Sequence, residues 1–197
     1  MKKTIFLALA IIGITTTGYS QKIKFGAKAG MNMASWAGDL EDGTNMRVSM
    51  HFGGLVEFKL TDKFSIQPEV LYSGQGVTMK GQYSYNQSYK SSFRFDYLNI
   101  PVMAKYYIVE GFNVEAGPQV GVLLSSKVMV KVDDLKTVDD FEGETNNVDF
   151  AANFGLGYDL PMGIFFNARY SLGLVKVNDG KGEVKNNVFS LSAGYKF

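Results

Sequence analysis

From residue 22 onward the chain alternates apolar and polar residues at every second position, the period of a strand with one apolar face. Between Lys22 and Met33, the residues Ile23, Phe25, Ala27, Ala29, Met31 and Met33 share one face. Lys22, Lys24, Gly26, Lys28, Gly30 and Asn32 share the other. The alternation recurs from Ser49 to Leu60, Phe64 to Ser73, Leu98 to Tyr106, Phe112 to Leu124, Val148 to Leu160, Ile164 to Gly173 and Phe189 to Phe197. This predicts eight strands, each about long enough to cross a bilayer at a barrel tilt. Short turns separate some of them: Thr61-Asp62-Lys63, Ile108 to Gly111 and Pro161-Met162-Gly163. Longer polar connections separate the others, at 34–47, 76–92, 127–147 and 175–185. Short turns on one side and long loops on the other match an outer-membrane barrel, with turns in the periplasm and loops outside.

The two faces differ in kind. One carries Lys24, Lys28, Lys59, Lys105, Arg169 and Lys196 together with Glu57, Glu69, Glu115, Asp149 and Asp159. The other carries aromatic residues near the strand ends: Phe58, Phe64, Tyr106, Phe112, Tyr158, Tyr195 and Phe197. Such a set suits the aromatic girdle of a lipid-facing wall. The apolar face is therefore expected outside and the charged face inside. A sheet in lipid must close, because nothing in the bilayer satisfies an open edge. The predicted fold is all-β: a closed, eight-stranded, antiparallel, up-and-down transmembrane barrel. Eight strands leave an interior just filled by side chains. The inward charges should pair there, since an unpaired buried charge is costly. They read as a salt-bridge plug; a narrow gated channel is the alternative. A secreted lipocalin-like ligand carrier would also alternate and is the alternative at the level of the fold. Pro68, Pro101 and Pro118 interrupt the third, fourth and fifth strands and are expected to mark bulges.

The start of the chain reads as a secretory signal. Lys2 and Lys3 precede an apolar run from Ile5 to Ile14, and Gly18-Tyr19-Ser20 offers a cleavage site. Residues 1–20 are thus expected to be a cleaved signal peptide and 21–197 the barrel domain. Beyond Gln21 no apolar run approaches the roughly eighteen residues of a spanning helix. The expected location is the outer membrane of a Gram-negative bacterium. The final Tyr195-Lys196-Phe197 resembles the signal read by the barrel insertion machinery. Outer-membrane lipid and lipopolysaccharide are the expected surroundings.

Composition removes several function classes. A net charge of +1 argues against a nucleic-acid binder. The absence of cysteine excludes disulfides, thiolate metal sites and a Cys nucleophile. The single histidine, His51, is expected to face inward, with Ser49 on the same face. A lipid hydrolase would need both on the lipid side beside an orienting acid. A hydrogen-bonded interior histidine is the better reading. The third long loop holds Asp133, Asp134, Asp139, Asp140, Glu142 and Glu144, whose spacing matches no EF-hand and reads as a solvated surface. The second holds Tyr83, Tyr85 and Tyr89 near Phe93 and Phe95. These suit either a binding surface or an extended hairpin stacking its own rings, and Trp36 could join either. Asn178-Asp179-Gly180 reads as a hairpin turn, with strands continuing through Val177 and Val184, and a similar extension is expected from Lys127 to Val132. No catalytic, cofactor or metal residues are predicted.

Three stretches carry a family resemblance: Asp62-Lys63-Phe64-Ser65-Ile66-Gln67-Pro68-Glu69-Val70-Leu71-Tyr72, Tyr97-Leu98-Asn99-Ile100-Pro101-Val102-Met103-Ala104-Lys105-Tyr106-Tyr107, and Asn113-Val114-Glu115-Ala116-Gly117-Pro118-Gln119-Val120-Gly121. They resemble the small PorT-like outer-membrane β-barrels of Bacteroidota. The resemblance implies that the three prolines belong to the design, and it brings in a link of PorT itself with secretion and gliding machinery. The function expected is a non-enzymatic outer-membrane protein, structural or partner-binding through its extracellular loops, with an accessory secretion or gliding role as one form of it.

Overall fold

The computed structural model describes residues 22–37, 44–84, 87–132, 135–140, 146–175 and 185–197. The signal-peptide segment, Asp133, Asp134, Glu142, Glu144 and the Asn178-Asp179-Gly180 turn with its flanking Val177 and Val184 lie outside them. So do the side chains of Tyr83, Tyr85 and Tyr89. The strands are β1 (Lys22–Ala37), β2 (Thr44–Lys59), β3 (Phe64–Ser84), β4 (Gln87–Tyr107), β5 (Phe112–Val132), β6 (Leu135–Asp140), β7 (Val148–Asp159), β8 (Ile164–Gly173) and β9 (Lys185–Lys196). All pairings are antiparallel. Eight of the strands close into a ring, β1-β2-β3-β4-β5-β7-β8-β9, sealed by β1 against β9 and by β4 against β5.

Alternation puts the charges inside and the hydrophobes outside. Phe25, Phe52, Phe154, Leu156 and Leu191 are exposed on the wall, whereas Lys28, Glu57, Glu69, Lys105, Glu115, Arg169 and Lys196 are buried. A water-soluble carrier would show the reverse, so the lipocalin-like alternative is set aside. The expected girdle forms at the short-turn end, where the registers pair Phe64 with Tyr106, Phe112 with Tyr158 and Tyr158 with Phe166. Two of the expected inward charges sit differently. Lys24 is exposed and Lys59 half-buried, because both stand at the periplasmic rim where the lumen opens.

Three of the long connections are shorter than the sequence boundaries, and the strand extension expected from Lys127 to Val132 is present. β3, β4 and β5 each run for 21 residues, where about 9–11 suffice to cross a bilayer. The 76–92 segment is an extension of the β3–β4 hairpin, paired as far as Ser84 with Gln87. Within 127–147, β5 continues to Val132 and turns back into β6, with Lys127 opposite Asp140 and Val132 opposite Leu135. The 34–47 connection is shortened likewise, since β1 reaches Ala37 and β2 starts at Thr44. The upper parts of β3, β4 and β5, with β6, make a four-stranded sheet rising from one side of the barrel. Above the bilayer both faces of a strand meet water, so the apolar–polar alternation that reveals the lower strands fades there.

The prolines cause no register slip. Pro68 pairs with Val102, and Gln67 with Met103 and Leu71 with Asn99 keep step on either side. Pro101 opposite Gln119 and Ala104 opposite Ala116 share one register, as do Gly117 opposite Asn153 and Pro118 opposite Ala152. A slip of one residue would turn every inward charge below it toward lipid, a far larger cost than one missing ladder bond. The shifts that do occur lie higher: between Met46 and His51 on β2, at Asp96/Tyr97 on β4, and at the hairpin tip between Gln82 and Ser84. Gly117, next to Pro118, is held tightly against β4. A Cβ there would lie 2.9 Å from the Val102 carbonyl carbon and 3.0 Å from the Met103 Cα. Gly117→Val is therefore expected to lower barrel stability by about 1–3 kcal/mol. The drop should appear as an earlier loss of the compact band when folded protein is heated before electrophoresis.

Candidate functional site

The polar faces of eight strands converge on the lumen, and what they build there is a set of braces. At mid-height Glu69 of β3 meets Arg169 of β8 through two hydrogen bonds of 2.9 Å. Around the ring these strands are four apart, on opposite walls. Lys28 of β1 reaches the same carboxylate at 2.7 Å. Arg169 also donates from Nε to Glu115 of β5 at 2.8 Å, and Asn167 donates to that oxygen at 2.7 Å. The planar guanidinium is suited to this, since it can bind two carboxylates along different edges at once.

A second layer closes the periplasmic end. Lys196 of β9 lies 2.7 Å from Glu57 of β2 and 2.5 Å from Asp159 of β7. Lys105 of β4 approaches Asp159 at 3.7 Å. The Tyr107 hydroxyl stands 2.5 Å from Glu57 and 2.8 Å from Asp159, with one proton to share between them. These two layers use the cations Lys28, Lys105, Arg169 and Lys196 against the carboxylates Glu57, Glu69, Glu115 and Asp159. Four against four leaves the buried lumen neutral, as a narrow low-dielectric interior requires. Asp149, also expected inward, is half-buried higher on β7 and takes no part in these pairs among the described residues.

Above the ion pairs the braces become neutral. His51 is buried, with Nδ1 2.8 Å from Asn32 Oδ1 and Nε2 2.8 Å from Ser192 Oγ. Asn32 in turn donates to Ser73 Oγ and to the Gly74 carbonyl, both at 2.9 Å. Asn186 of β9 bonds Gln75 of β3 across the lumen. An apolar lid covers this layer: the Trp36 ring lies 5.6 Å from Phe93 and 6.1 Å from Phe95, near the fully buried Ala34 and Val77. Trp36 thus joins Phe93 and Phe95 inside the mouth.

Chemically, the serine–histidine–asparagine line has the order of an acyl-transfer relay. It lacks what such a relay needs. The adjoining cavity holds about 20 Å³, room for a single water, and the whole line is enclosed by the barrel wall. Ser49, the serine expected beside His51, donates instead to the Gly74 carbonyl at 2.5 Å. Ser192 and Asn32 had no sequence signal, being 141 and 19 residues from His51. Tyr107, Gln75 and Asn186 were missed for the same reason. Larger hollows lie elsewhere: about 680 Å³ among Lys24, Lys59, Lys63 and Glu110 at the periplasmic mouth, and about 550 Å³ beside Arg47 and Arg94 on the outer wall toward the extracellular end. Of the acidic loop, Asp139 and Asp140 are exposed on β6.

Known proteins share this architecture. The family model described as outer membrane protein beta-barrel domain matches residues 19–179. Ail, the attachment invasion locus protein of Yersinia pestis, solved in complex with the heparin analogue sucrose octasulfate, is similar at 13% identity and a TM-score of 0.52. That match covers 89% of this chain and 99% of Ail. Neisserial surface protein A is similar at 12% identity and a TM-score of 0.50, covering 88% of this chain and 97% of that protein. At these identities the likeness is one of fold. No curated protein sequence matches the chain.

The brace hierarchy has a measurable consequence. Glu69→Gln leaves Lys28 and Arg169 facing each other, and unfolding in urea from lipid vesicles is expected to lose about 3–5 kcal/mol. The double change Glu69→Leu with Arg169→Met leaves Lys28 and Glu115 in balance and should recover at least half of that loss.

Proposed function

The chain belongs to the outer membrane protein beta-barrel domain family, and from that premise we propose a non-enzymatic, non-conducting outer-membrane barrel that holds a β-sheet outside the cell for a protein partner. The observation that carries this reading is the filled lumen. Side chains meet across it in the periplasmic ion-pair layer, the Glu69–Arg169 layer, the Gln75–Asn186 layer and the aromatic lid. The cavity between them is about 20 Å³. A hydrated ion crossing the barrel would have to break each layer in turn, which weighs against the narrow-channel alternative.

The investment in length supports the partner role. Spanning the bilayer does not need 21-residue strands. Among the described residues the upper sheet also ends on a free edge, β6, whose Asp139 and Asp140 discourage indiscriminate pairing. The resemblance to PorT-like barrels of Bacteroidota favours a partner in a secretion or gliding apparatus. Phe197, exposed on the outer wall and 5.4 Å edge-on to Tyr195, is available to the barrel insertion machinery. Lipopolysaccharide and outer-leaflet lipid would surround the wall, and the signal peptide would deliver the chain.

Purified protein in planar bilayers is expected to leave the current at baseline over the whole physiological voltage range; steady unitary steps would restore the channel reading. Crosslinking in intact cells is expected to capture one discrete protein at near-equal amount. A shortened barrel lacking residues 79–91 should lose it while still folding. Recovery of lipopolysaccharide alone would make the protein a freestanding envelope barrel.

A further inference from the structure

On the outer wall, at the extracellular end of β2, β3 and β4, two arginines stand together without a carboxylate bound to either among the described residues. The β3–β4 register runs unbroken from Phe64 to Gln82, so the face of β4 that carries Ile100 and Leu98 also carries Asp96, Arg94 and Ser92. Tyr72, Gly74, Gly76 and Thr78 lie opposite them on β3. This is the wall that meets lipid lower down, where Phe52 and Tyr72 pack with ring centres 5.1 Å apart.

Arg47 arrives here because of the register shift in β2. Between Met46 and His51 the strand leaves β3, and the β3 carbonyls it would have paired are taken by side chains. Ser49 and Asn32 bond the Gly74 oxygen, and Arg47 bonds the Gln75 oxygen through one nitrogen. Among the described residues, the remaining edge of the Arg47 guanidinium is uncommitted. Arg94 is freer still. Its Nη2 reaches only the Met129 thioether at 3.4 Å, a weak acceptor, and its Nε is buried without a hydrogen-bond partner among the described residues. The two side chains line one hollow of about 550 Å³ with Thr78, Ser92, Met46 and Val48.

The surrounding charges do not cancel the pair. Arg94 and Arg47 repel one another, and the carboxylate that acts on Arg47 is Asp96, which is itself hydrogen-bonded to Tyr72. Lys127 of β5 stands beside Arg94 in register and adds a third cation, but Asp140 of β6 faces it from the other side. Two adjacent guanidiniums with open donors are a geometry for one phosphate, which accepts from both forks. The Thr78 and Ser92 hydroxyls, 3.3 Å apart, line the same hollow. Met46 and Val48, both well exposed, extend the hollow with apolar surface.

We propose that Arg47 and Arg94 form a phosphate clamp for a phosphorylated lipid head group of the outer leaflet. The lipid's phosphate would sit between the guanidiniums and its chains along Met46, Val48 and the Phe52–Tyr72 wall. The position fits this source: the site opens on the lipid-facing side, at the height where the barrel leaves the bilayer. The clamp would fix the barrel's height and rotation in the membrane beneath its raised sheet, and it holds whether or not the barrel conducts or has a protein partner.

The test uses full-length mature barrel folded in dodecyl maltoside, a detergent without phosphate. Bisphosphorylated lipid A, dephosphorylated lipid A and inorganic phosphate are titrated separately. Lipid retention is read by native mass spectrometry, and the Trp36 emission reports from the other face of the same strands. Wild type should retain bisphosphorylated lipid A at least tenfold better than the dephosphorylated form. Arg94→Gln should lose that preference, and Lys63→Gln, at the periplasmic turn, should keep it. If Arg47→Gln fails to fold because the Gln75 carbonyl loses its donor, Arg94→Gln still decides the matter. Equal retention of the two lipids by wild type, or unchanged preference in Arg94→Gln, overturns the proposal. Inorganic phosphate that competes at concentrations comparable to lipid A would overturn the lipid source and leave a free-anion site.

Discussion

The contact between Arg169 and Glu69, from one wall of the barrel to the wall facing it, expresses the constraint under which the whole chain is built. In a bilayer the backbone can be satisfied only by closing the sheet on itself. Closure sends every second side chain into a space too narrow for bulk water, and a neutral apolar filling there would leave both faces of the strands greasy. The chain solves this with polar residues that satisfy one another. Cations and carboxylates come in equal number, Glu57, Glu69 and Asp159 are each reached from two or more strands, and the unpaired length of the lumen is taken up by amides and hydroxyls. Such a network adds little stability over a hydrophobic core of equal volume, yet any single deletion strands a buried charge. The register of the strands is held hostage to it, and this is why three prolines are absorbed without a slip.

Outside the membrane the same strands obey different rules. The lower halves are selected by lipid on one side and by the braces on the other. Above, β3, β4 and β5 rise with β6 as a sheet wetted on both faces, and backbone pairing is the main force left. The transition is where irregularity collects: β2 shifts register, β5 bulges opposite Asp96 and Tyr97, and Gly76 adopts a φ of 122°. Side chains take over bonds that the ladder cannot make there, and Arg47 is one of them. A feature that begins as repair of a broken ladder thus leaves a cation on the outer wall beside Arg94.

The lumen also explains why relay-like geometry does not imply catalysis. His51 between Ser192 and Asn32 satisfies three buried polar groups at once, which in a dry interior is sufficient reason for the arrangement. A hydrolase would need the serine open to acyl chains, and the barrel wall stands between them. The chemistry available to this protein lies at its ends and on its rim, where Arg47, Arg94 and the raised sheet meet the surroundings.

The number of strands in the ring, the inward and outward faces, the closure, the aromatic girdle and the identity of the inward charges at Lys28, Glu57, Glu69, Lys105, Glu115, Asp159, Arg169 and Lys196 were all legible in the sequence. They follow from a period of two, which lipid enforces on the outer face of the spanning residues, while the inner face admits a few apolar side chains such as Leu55, Leu71 and Phe165. What the sequence could not disclose was who meets whom. Glu69 and Arg169 are 100 residues apart, His51 and Ser192 are 141 apart, and only the stagger of closed strands brings them level. β6 was hidden because strands wetted on both sides carry no alternation, and for the same reason the extended β3–β4 hairpin stood as only one of two readings of its segment. The innocence of the prolines was hidden because a bulge and a skipped bond look alike until the register on both sides is known. The arginine clamp depended on a register shift that no local residue announces and on a hairpin that the sequence left as one of two readings.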